Sequence, residues 1–243
     1  AIVTLTLALG SRRMVDRNAL VRRLPVVESL GSVDVVLTDK TGTLTENQMT
    51  VRRLYVPETT VDVTGTGYET DGEFLVDDQS VDPERVEPVL RCGAVCNNAE
   101  RAPDSADDLY FGDPTEIALL VAASKAGIEP AHERLREIPF NADRKRMTVV
   151  ARDGEADSAT AYMKGATEAV LDRCDRVLVD GIERELTDEM REEILSESDA
   201  LADDALRVLA FSRRTIDDPD APVEQVESHH VFLSLQGMLE PPR

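Results

Sequence analysis

The sequence predicts an α/β chain in which one domain is inserted into another. A nearly continuous apolar strand, VDVVLT at 33–38, stands early in the chain, and a second apolar strand, VFLSLQGML at 231–239, stands at its end. The first of these runs suits a parallel sheet that is buried on both faces. The segments between them do not alternate strictly between strand and helix, which favours a mixed, mostly antiparallel block. The outer domain would then be represented only by segments at the two ends.

The elements after the first strand follow from local patterns. MTVRRLYV (49–56) alternates apolar and polar residues, as an exposed-face strand does. The glycine-punctuated stretch 63–76 predicts a hairpin around Thr70-Asp71-Gly72. Apolar residues at helical spacing predict a helix over 83–100, and an acidic loop follows at 101–112.

A second helix is predicted from Asp113 to Gly127. Asp113 can cap its start, Pro114 suits the first helical position, and Gly127 ends it. The remaining pattern predicts strands near 134–139, 146–152, 158–163, 175–179 and 207–216, a helix at 166–174, and a long acidic helix that opens at Thr187.

The composition excludes some classes of function. Hydrophobic residues make up 42% of the 243-residue chain, enough for a core, and the formal net charge is −21. So acidic a chain lacks the basic footprint that nonspecific nucleic-acid binding requires. Many acids beside only four lysines suggest a halophilic source, with GC-rich codon usage as the alternative. The three cysteines, Cys92, Cys96 and Cys174, predict free buried thiols rather than a disulfide framework or metal site.

The first 23 residues have an unusual charge pattern. The uncharged run AIVTLTLALG precedes five arginines within twelve residues. Ten residues are too few to cross a bilayer, which takes about 20. A truncated membrane helix with its basic cytoplasmic flank would show this pattern. The alternative is a buried helix or strand followed by a basic surface turn.

The residues that follow the first strand carry the main chemical signal. Asp39 comes just past the end of the strand, where α/β sheets place ligands. Gly42 permits a sharp turn, so that main-chain amides and the hydroxyls of Thr41 and Thr43 can face a phosphate, and Lys40 adds positive charge. If Asp39 attacks a phosphoryl group, Mg²⁺ is required to offset the charge repulsion, and Asp39 with the backbone carbonyl of Thr41 could bind it. A solvated polar turn is the alternative.

These residues resemble a known family. DKTGTLT (39–45) is similar to the phosphorylation motif of the P-type cation-transporting ATPases. Among these, the chain most resembles the calcium-pump-like members of the P2 group. The resemblance extends along the chain. LALGSRRM (7–14) and VRRLPVVESLG (21–31) resemble the end of membrane helix 4 and its link. GDPTEIALL (112–120), FNADRKRM (140–147), MKGATE (163–168) and LRVLAFS (206–212) resemble nucleotide-binding motifs, and GMLEPPR (237–243) resembles a hinge.

The resemblance implies a fold and a division of the chain. Phosphorylation-domain fragments of the haloacid-dehalogenase-like (Rossmannoid) fold would flank an inserted α+β nucleotide-binding domain with a mostly antiparallel sheet. The implied boundaries are a truncated membrane-helix end and basic stalk at 1–23, a phosphorylation-domain segment at 24–49, the nucleotide-binding domain at 50–230 and the returning hinge at 231–243.

The resemblance also implies the site residues. The nucleotide would be bound by Glu116, Phe140, Lys145, Lys164, Gly165 and Arg207. The phosphorylated nucleophile Asp39 would be assisted by Lys40, Thr41 and Thr43. The hinge would comprise Glu240, Pro241, Pro242 and Arg243. Each of four residues also has a structural alternative that involves no nucleotide. These are a capping box for Glu116, core packing for Phe140, a solvated surface position for Lys164, and an ion pair with Asp203 or Asp204 for Arg207. The chain departs from the family at Ala142, Thr167 and Glu240, where relatives often carry Arg, Pro and Asp.

The implied function is that of a cation pump with ATP as substrate and Mg²⁺ as cofactor. Its partners would be the remaining pump domains, namely the actuator, the rest of the phosphorylation domain and the membrane helices, and the chain alone would be monomeric and bind nucleotide without turnover. The pump would act at the cytoplasmic face of the membrane. One rival is a soluble phosphatase of the same superfamily, which needs a second acid where Thr41 stands. The other is a nucleotide-binding module in which Asp39 is structural. His229 and His230 are interpreted as structural.

Overall fold

The computed structural model describes residues 2–20, 22, 27, 29–39, 42–46, 48–102, 110–129, 132–153 and 158–241. The chain divides into two compact units, residues 1–43 and 44–243. In the first unit, helix α1 (Ile2–Val15) carries Arg12 and Arg13 in its last turn, where the helix dipole favours positive charge. Within the described ranges, no helix is both long and apolar enough to cross a membrane.

The strand predicted at 33–38 is not formed. Residues 33–39 adopt no regular structure, and the side chains of Val35, Val36 and Leu37 are 71%, 79% and 93% exposed. A strand requires a neighbour to pair its backbone groups, and no strand in the described part of the chain pairs with this stretch. The apolar pattern therefore indicates a preference for burial that the described residues do not satisfy.

The second unit is built on one large sheet and a short two-stranded one. The strands are β1 (Thr50–Val56), β2 (Thr59–Val63), β3 (Phe74–Val76), β4 (Gln79–Ser80), β5 (Glu100–Arg101), β6 (Tyr110–Phe111), β7 (His132–Asn141), β8 (Arg146–Asp153), β9 (Ala159–Gly165), β10 (Cys174–Val179), β11 (Ile182–Glu185), β12 (Arg207–Ile216) and β13 (His230–Leu239). The large sheet has the order β4-β3-β2-β1-β13-β12-β9-β8-β7, and β10, which also pairs with β11, joins at β13.

Antiparallel pairing dominates this sheet. Only β10 and β13 run parallel among the described strand pairs. The prediction of a mostly antiparallel sheet is thus confirmed. The hairpin predicted around Gly72 is the β2–β3 pair, although its connection is wider than a tight turn. Strand β11 was not predicted from the sequence.

Helices cover both faces of the sheet. They are α2 (Glu87–Val95, preceded by a 3₁₀ turn at Pro83–Val86), α3 (Pro114–Lys125), α4 (Thr167–Leu171), α5 (Asp188–Asp203) and α6 (Val223–Val226). On one face Leu90 of α2 belongs to the same buried cluster as Phe211, and on the other Ile194 of α5 belongs to the same buried cluster as Phe232. Strand β13 lies centrally between β1 and β12, and nine of its ten residues are buried. Burial on both faces explains why the apolar residues Val231, Phe232 and Leu233 follow one another along it.

Three boundary predictions were wrong. The helix predicted at 166–174 spans only Thr167–Leu171, because Cys174 already begins β10. The helix predicted over 83–100 ends at Val95, because the chain then turns into β5. The end of the predicted acidic loop at 101–112 forms β6, which pairs with β5. That pairing joins residues from both sides of a loop, so the local pattern does not reveal it. All three cysteines are free and buried, as predicted.

Candidate functional site

Helix α3 begins at the site with a well-defined cap. The Asp113 carboxylate accepts a hydrogen bond of 2.8 Å from the amide of Thr115, and Pro114 occupies the first turn. Glu116 lies in the same turn, where the helix dipole favours negative charge. Its carboxylate accepts a hydrogen bond from Lys164 rather than acting only as a capping-box partner, so local helix capping does not by itself explain Glu116.

The central contact of the site is the ion pair between Lys164 and Glu116. Lys164 Nζ lies 2.7 Å from Glu116 Oε1, and the two side chains are 10% and 16% exposed. The alternative of a solvated surface lysine is therefore wrong. Beneath the pair lies Cys96, whose pKa burial raises to about 11 while the Lys164 ammonium opposes the shift. This thiol is protonated and chemically inert at neutral pH.

Asn97 connects the two helices beside this ion pair, and the sequence analysis missed it. Its side-chain amide donates to the backbone carbonyls of Gly93 (3.0 Å) and Glu116 (2.9 Å). Its carbonyl oxygen accepts from the amide of Ala99 at 2.8 Å. Asn97 thereby ties the end of α2 to the first turn of α3. The helix predicted over 83–100 included Asn97, so the local pattern gave no signal for this connecting role.

The β7–β8 turn presents two of the predicted site residues. Phe140 is 63% exposed, which excludes the core-packing alternative for this aromatic residue. Lys145 is exposed and has a left-handed backbone (φ 52°), and its amide donates to the carbonyl of Asn141 at 2.7 Å. The turn therefore holds an apolar ring and a cation at the surface.

Gly165 allows this turn to approach the end of β9. A Cβ atom at Gly165 would overlap the carbonyl oxygen of Lys145 and lie 2.7 Å from the Cβ of Arg146. The close approach is secured by a 3.0 Å hydrogen bond from the Ala166 amide to the Lys145 carbonyl. The requirement for glycine is thus steric. The absence of a side chain at Gly165 lets the FNADRKRM and MKGATE segments approach each other.

Arg207 lies on the neighbouring strand at the same end of the sheet. Phe211 of β12 is paired with Lys164, and Arg207 begins that strand four residues earlier. Because side chains alternate along a strand, Arg207 and Phe211 belong to the same face of the sheet. Arg207 is exposed. The proposed ion-pair partner Asp204 instead contacts Arg53 at 2.9 Å.

A buried carboxylate that the sequence analysis missed lies behind the β7–β8 turn. Glu227 is 1% exposed and contacts Arg144, Arg146 and Thr148. Nothing in the local sequence around Glu227 distinguishes it from the many surface acids of this chain.

The predicted phosphorylation residues belong to the first unit. Asp39 and Thr43 are exposed, and Gly42 has φ 72°, the left-handed turn expected of it. Lys40 and Thr41 lie outside the described residues. In the part of the chain that is described, no three His, Cys, Asp or Glu side chains cluster as metal ligands. The Mg²⁺ prediction therefore depends on Asp39 and on the backbone of Thr41.

The predicted hinge is described only at its start. The Pro241 carbonyl accepts a 3.1 Å hydrogen bond from the amide of Glu46. Oxygen Oε1 of Glu240 is buried and has no hydrogen-bond partner among the residues that the structure describes. Pro242 and Arg243 lie outside the described residues.

Comparisons with known proteins agree with this architecture. The family model of the P-type ATPase cytoplasmic domain N matches residues 85–243, about two thirds of the chain. The whole chain is 42% identical to Cation-transporting ATPase pma1 of Synechocystis sp. and 37% identical to Calcium-transporting ATPase 1 of Bacillus cereus, covering 28% and 26% of these relatives. Over 99% of its length it is 40% identical to Probable cation-transporting ATPase F of Mycobacterium tuberculosis.

The chain spans about a quarter of the length of the curated relatives it matches. The family match covers the sheet from β7 to β13 and the helices from α2 onward. It includes Glu116, Lys164 and the β7–β8 turn. This chain belongs to the P-type cation-transporting ATPases.

Proposed function

We propose that this chain is the ATP-binding and phosphate-accepting part of a P-type cation pump. The observation that carries the proposal is the buried Lys164–Glu116 ion pair at the same end of the sheet as an exposed aromatic ring and two exposed cations. The four strands β7, β8, β9 and β12 are neighbours in the sheet, and each contributes to this end directly or through a turn.

Each side chain suits one part of ATP. The exposed ring of Phe140 offers a face on which adenine can stack. The Glu116 carboxylate is an acceptor for the adenine amino group. Lys164 holds this carboxylate in place and compensates its negative charge. Lys145 and Arg207 supply exposed positive charge for the phosphates.

In the whole pump, closure about the hinge at Glu240 and Pro241 would deliver the γ-phosphate to Asp39. The Asp39 carboxylate attacks phosphorus in line, and ADP leaves with the electrons of the broken bond. When Mg²⁺ is bound, it offsets charge at this step, and Asp39 with the carbonyl of Thr41 would hold it. Since Thr41 is not an acid, no neighbouring side chain hydrolyses the aspartyl phosphate at once.

The proposed setting follows from the proposed activity. Residues around Asp39 would belong to a phosphorylation domain of the haloacid-dehalogenase-like fold, with 50–230 inserted into it. The partners would be the actuator, the rest of the phosphorylation domain and the membrane helices, at the cytoplasmic face of the membrane. Alone, the chain would be a monomer that binds nucleotide without turnover.

Titration calorimetry with ATP tests the nucleotide site. Phe140→Ala should weaken binding about 5- to 150-fold, because base stacking on an aromatic ring contributes about 1–3 kcal/mol. Phe111→Ala is the matched control, since Phe111 is a comparably exposed aromatic (59%) on β6, outside the site. Equal affinities for the two variants, or a wild-type chain that binds no ATP at millimolar concentration, would overturn the proposal.

The role of Asp39 is tested separately. Asp39→Asn should leave ATP affinity of this chain unchanged, while the same substitution in the full-length pump should abolish ATPase activity. Full-length activity that survives would favour the rival in which Asp39 is structural. Acid-stable labelling of Asp39 by radioactive ATP in the chain alone would contradict binding without turnover.

A further inference from the structure

Glu227 is the most completely buried carboxylate among the described residues, and both of its oxygens are occupied. Oε1 accepts hydrogen bonds from Arg144 Nη1 (2.7 Å) and Thr148 Oγ1 (2.8 Å). Oε2 accepts from Arg146 Nε (2.9 Å), with Arg146 Nη2 at 2.8 Å. Burial raises the pKa of Glu227, but the bonds from Thr148, Arg144 and Arg146 outweigh it and the pKa is lowered. The group is therefore a fixed negative charge.

The donors to Glu227 all come from the β7–β8 turn and the strand that follows it. Arg144 also donates to the carbonyl of Pro139 through Nη2 (2.6 Å), directly before Phe140. Arg146 also donates to the carbonyl of Arg144 through Nη1 (3.1 Å). The two guanidinium groups thus hold both ends of the turn, and Glu227 forms ion pairs with both of them.

The segment that carries Glu227 is itself firmly attached. The Glu227 amide closes α6 by donating to Val223 (2.8 Å). Arg136 Nη1 donates to the carbonyl of Ala221 at 2.6 Å, just before this helix. The buried ring of His230 lies 2.9 Å from the carbonyl of Val226. Glu227 therefore connects the turn to a part of the fold with few degrees of freedom.

The turn has local support from the exposed Asn141, whose Oδ1 accepts a 2.7 Å hydrogen bond from the Asp143 amide, and Glu227 adds support from the buried side. Phe140 and Lys145 project to solvent, and Lys145 has an unfavourable left-handed backbone. A binding group that is held in its bound geometry before the ligand arrives avoids an entropy cost on binding. If the turn adopts the competent geometry in only a fraction of molecules, the apparent Kd rises by the inverse of that fraction.

We propose that Glu227 is a positioning residue for nucleotide binding, which holds the β7–β8 turn so that Phe140 and Lys145 meet ATP in a fixed arrangement. This inference deepens the proposed function and depends on it for the identity of the ligand. Glu227 itself does not touch the nucleotide.

The sequence provides a sensitive probe, because it contains no tryptophan. Phe140→Trp places a single indole on the turn, and its time-resolved fluorescence anisotropy reports local motion without any ligand. In this background Glu227→Gln should increase the amplitude of nanosecond motion and weaken ATP binding roughly tenfold. Thr148→Val, which removes one hydrogen bond and keeps the charge, should have a smaller effect in the same direction and carries the test if Glu227→Gln does not fold.

Ile194→Ala is the control for a general loss of stability, because Ile194 is buried in a cluster that includes no residue of β7, β8 or α6. It should lower the free energy of unfolding yet leave indole motion and ATP affinity unchanged. If Glu227→Gln and Thr148→Val also leave both unchanged, the positioning role is refuted while the proposed function stands. If the Phe140→Trp parent and the wild type bind no ATP, the proposed function fails instead.

Discussion

The buried imidazole of His230 should make this domain less stable as the pH falls. His230 is 0% exposed; its Nε2 lies 2.9 Å from the Val226 carbonyl and its Nδ1 lies 3.0 Å from Ser212 Oγ. A carbonyl only accepts, so Nε2 carries the hydrogen and Nδ1 accepts from the hydroxyl, which fixes the neutral tautomer. Burial lowers the pKa of His230 to about 4, with Arg214 and Arg146 acting in the same direction and Glu227 opposing them.

The sign of this pH effect follows from the protonation of His230 in the folded and the unfolded protein. Above pH 6.5 the imidazole is neutral in both, so it contributes no pH dependence. As the pH falls below 6.5, the unfolded chain binds a proton that the folded protein accepts only near pH 4. The free energy of unfolding therefore decreases across this window, by about 3 kcal/mol in total and by about 2 kcal/mol between pH 7 and pH 5.

Urea unfolding of the wild type and His230→Gln at pH 7, 6 and 5 measures this contribution. The variant should be less stable at pH 7, because it leaves buried partners unsatisfied. The difference between the two proteins should shrink by about 2 kcal/mol at pH 5, since contributions from the shared carboxylates cancel. Parallel pH profiles, or an NMR titration in which the His230 ring protonates between pH 6 and 7, would refute the reasoning.

Two further predictions concern the end of the sheet that is proposed to bind nucleotide. Gly165→Ala should cost about 1–3 kcal/mol of stability by overpacking against Lys145, and it should also weaken ATP binding. Gly127→Ala has open space but φ +68°, so in the same calorimetry and urea experiments it should cost about 1–2 kcal/mol without changing affinity. Lys164→Met should cost about 3 kcal/mol, the lower end of the range for breaking a buried pair, because it leaves the partly buried Glu116 carboxylate (16% exposed) without a counter-charge. The double variant with Glu116→Leu should recover most of that loss; a double variant as unstable as the single one would contradict the argument.

Local sequence was sufficient where one short stretch contains all the determinants of an element. The cap at Asp113, the proline at 114 and the glycine at 127 lie within fifteen residues, and helix α3 forms between them as predicted. Strand β12 likewise has the predicted bounds, 207–216. The same reasoning failed at 33–38, where the apolar pattern specified a strand without specifying a partner to pair with it.

The candidate site shows the same division between residues that local sequence predicts and contacts that depend on distant segments. The motifs predicted the individual residues, including Glu116, Phe140 and Lys164. They did not predict the contacts, because Lys164 and Glu116 are 48 residues apart and Arg144 and Glu227 are 83 apart. Glu227 was missed because a glutamate is usually a surface residue, and only its burial among cations distinguishes it.

By itself the sequence determined the family, the antiparallel character of the large sheet and the residue types available for phosphate chemistry. Hydrogen-bond caps, side-chain alternation and motif spacing act over a few residues, so they can be read along the chain. Only the tertiary structure decided that Lys164 is buried against Glu116, that Gly165 is required by the neighbouring turn, and that Glu227 holds that turn. These depend on strand order and burial, which arise when distant segments exclude water together.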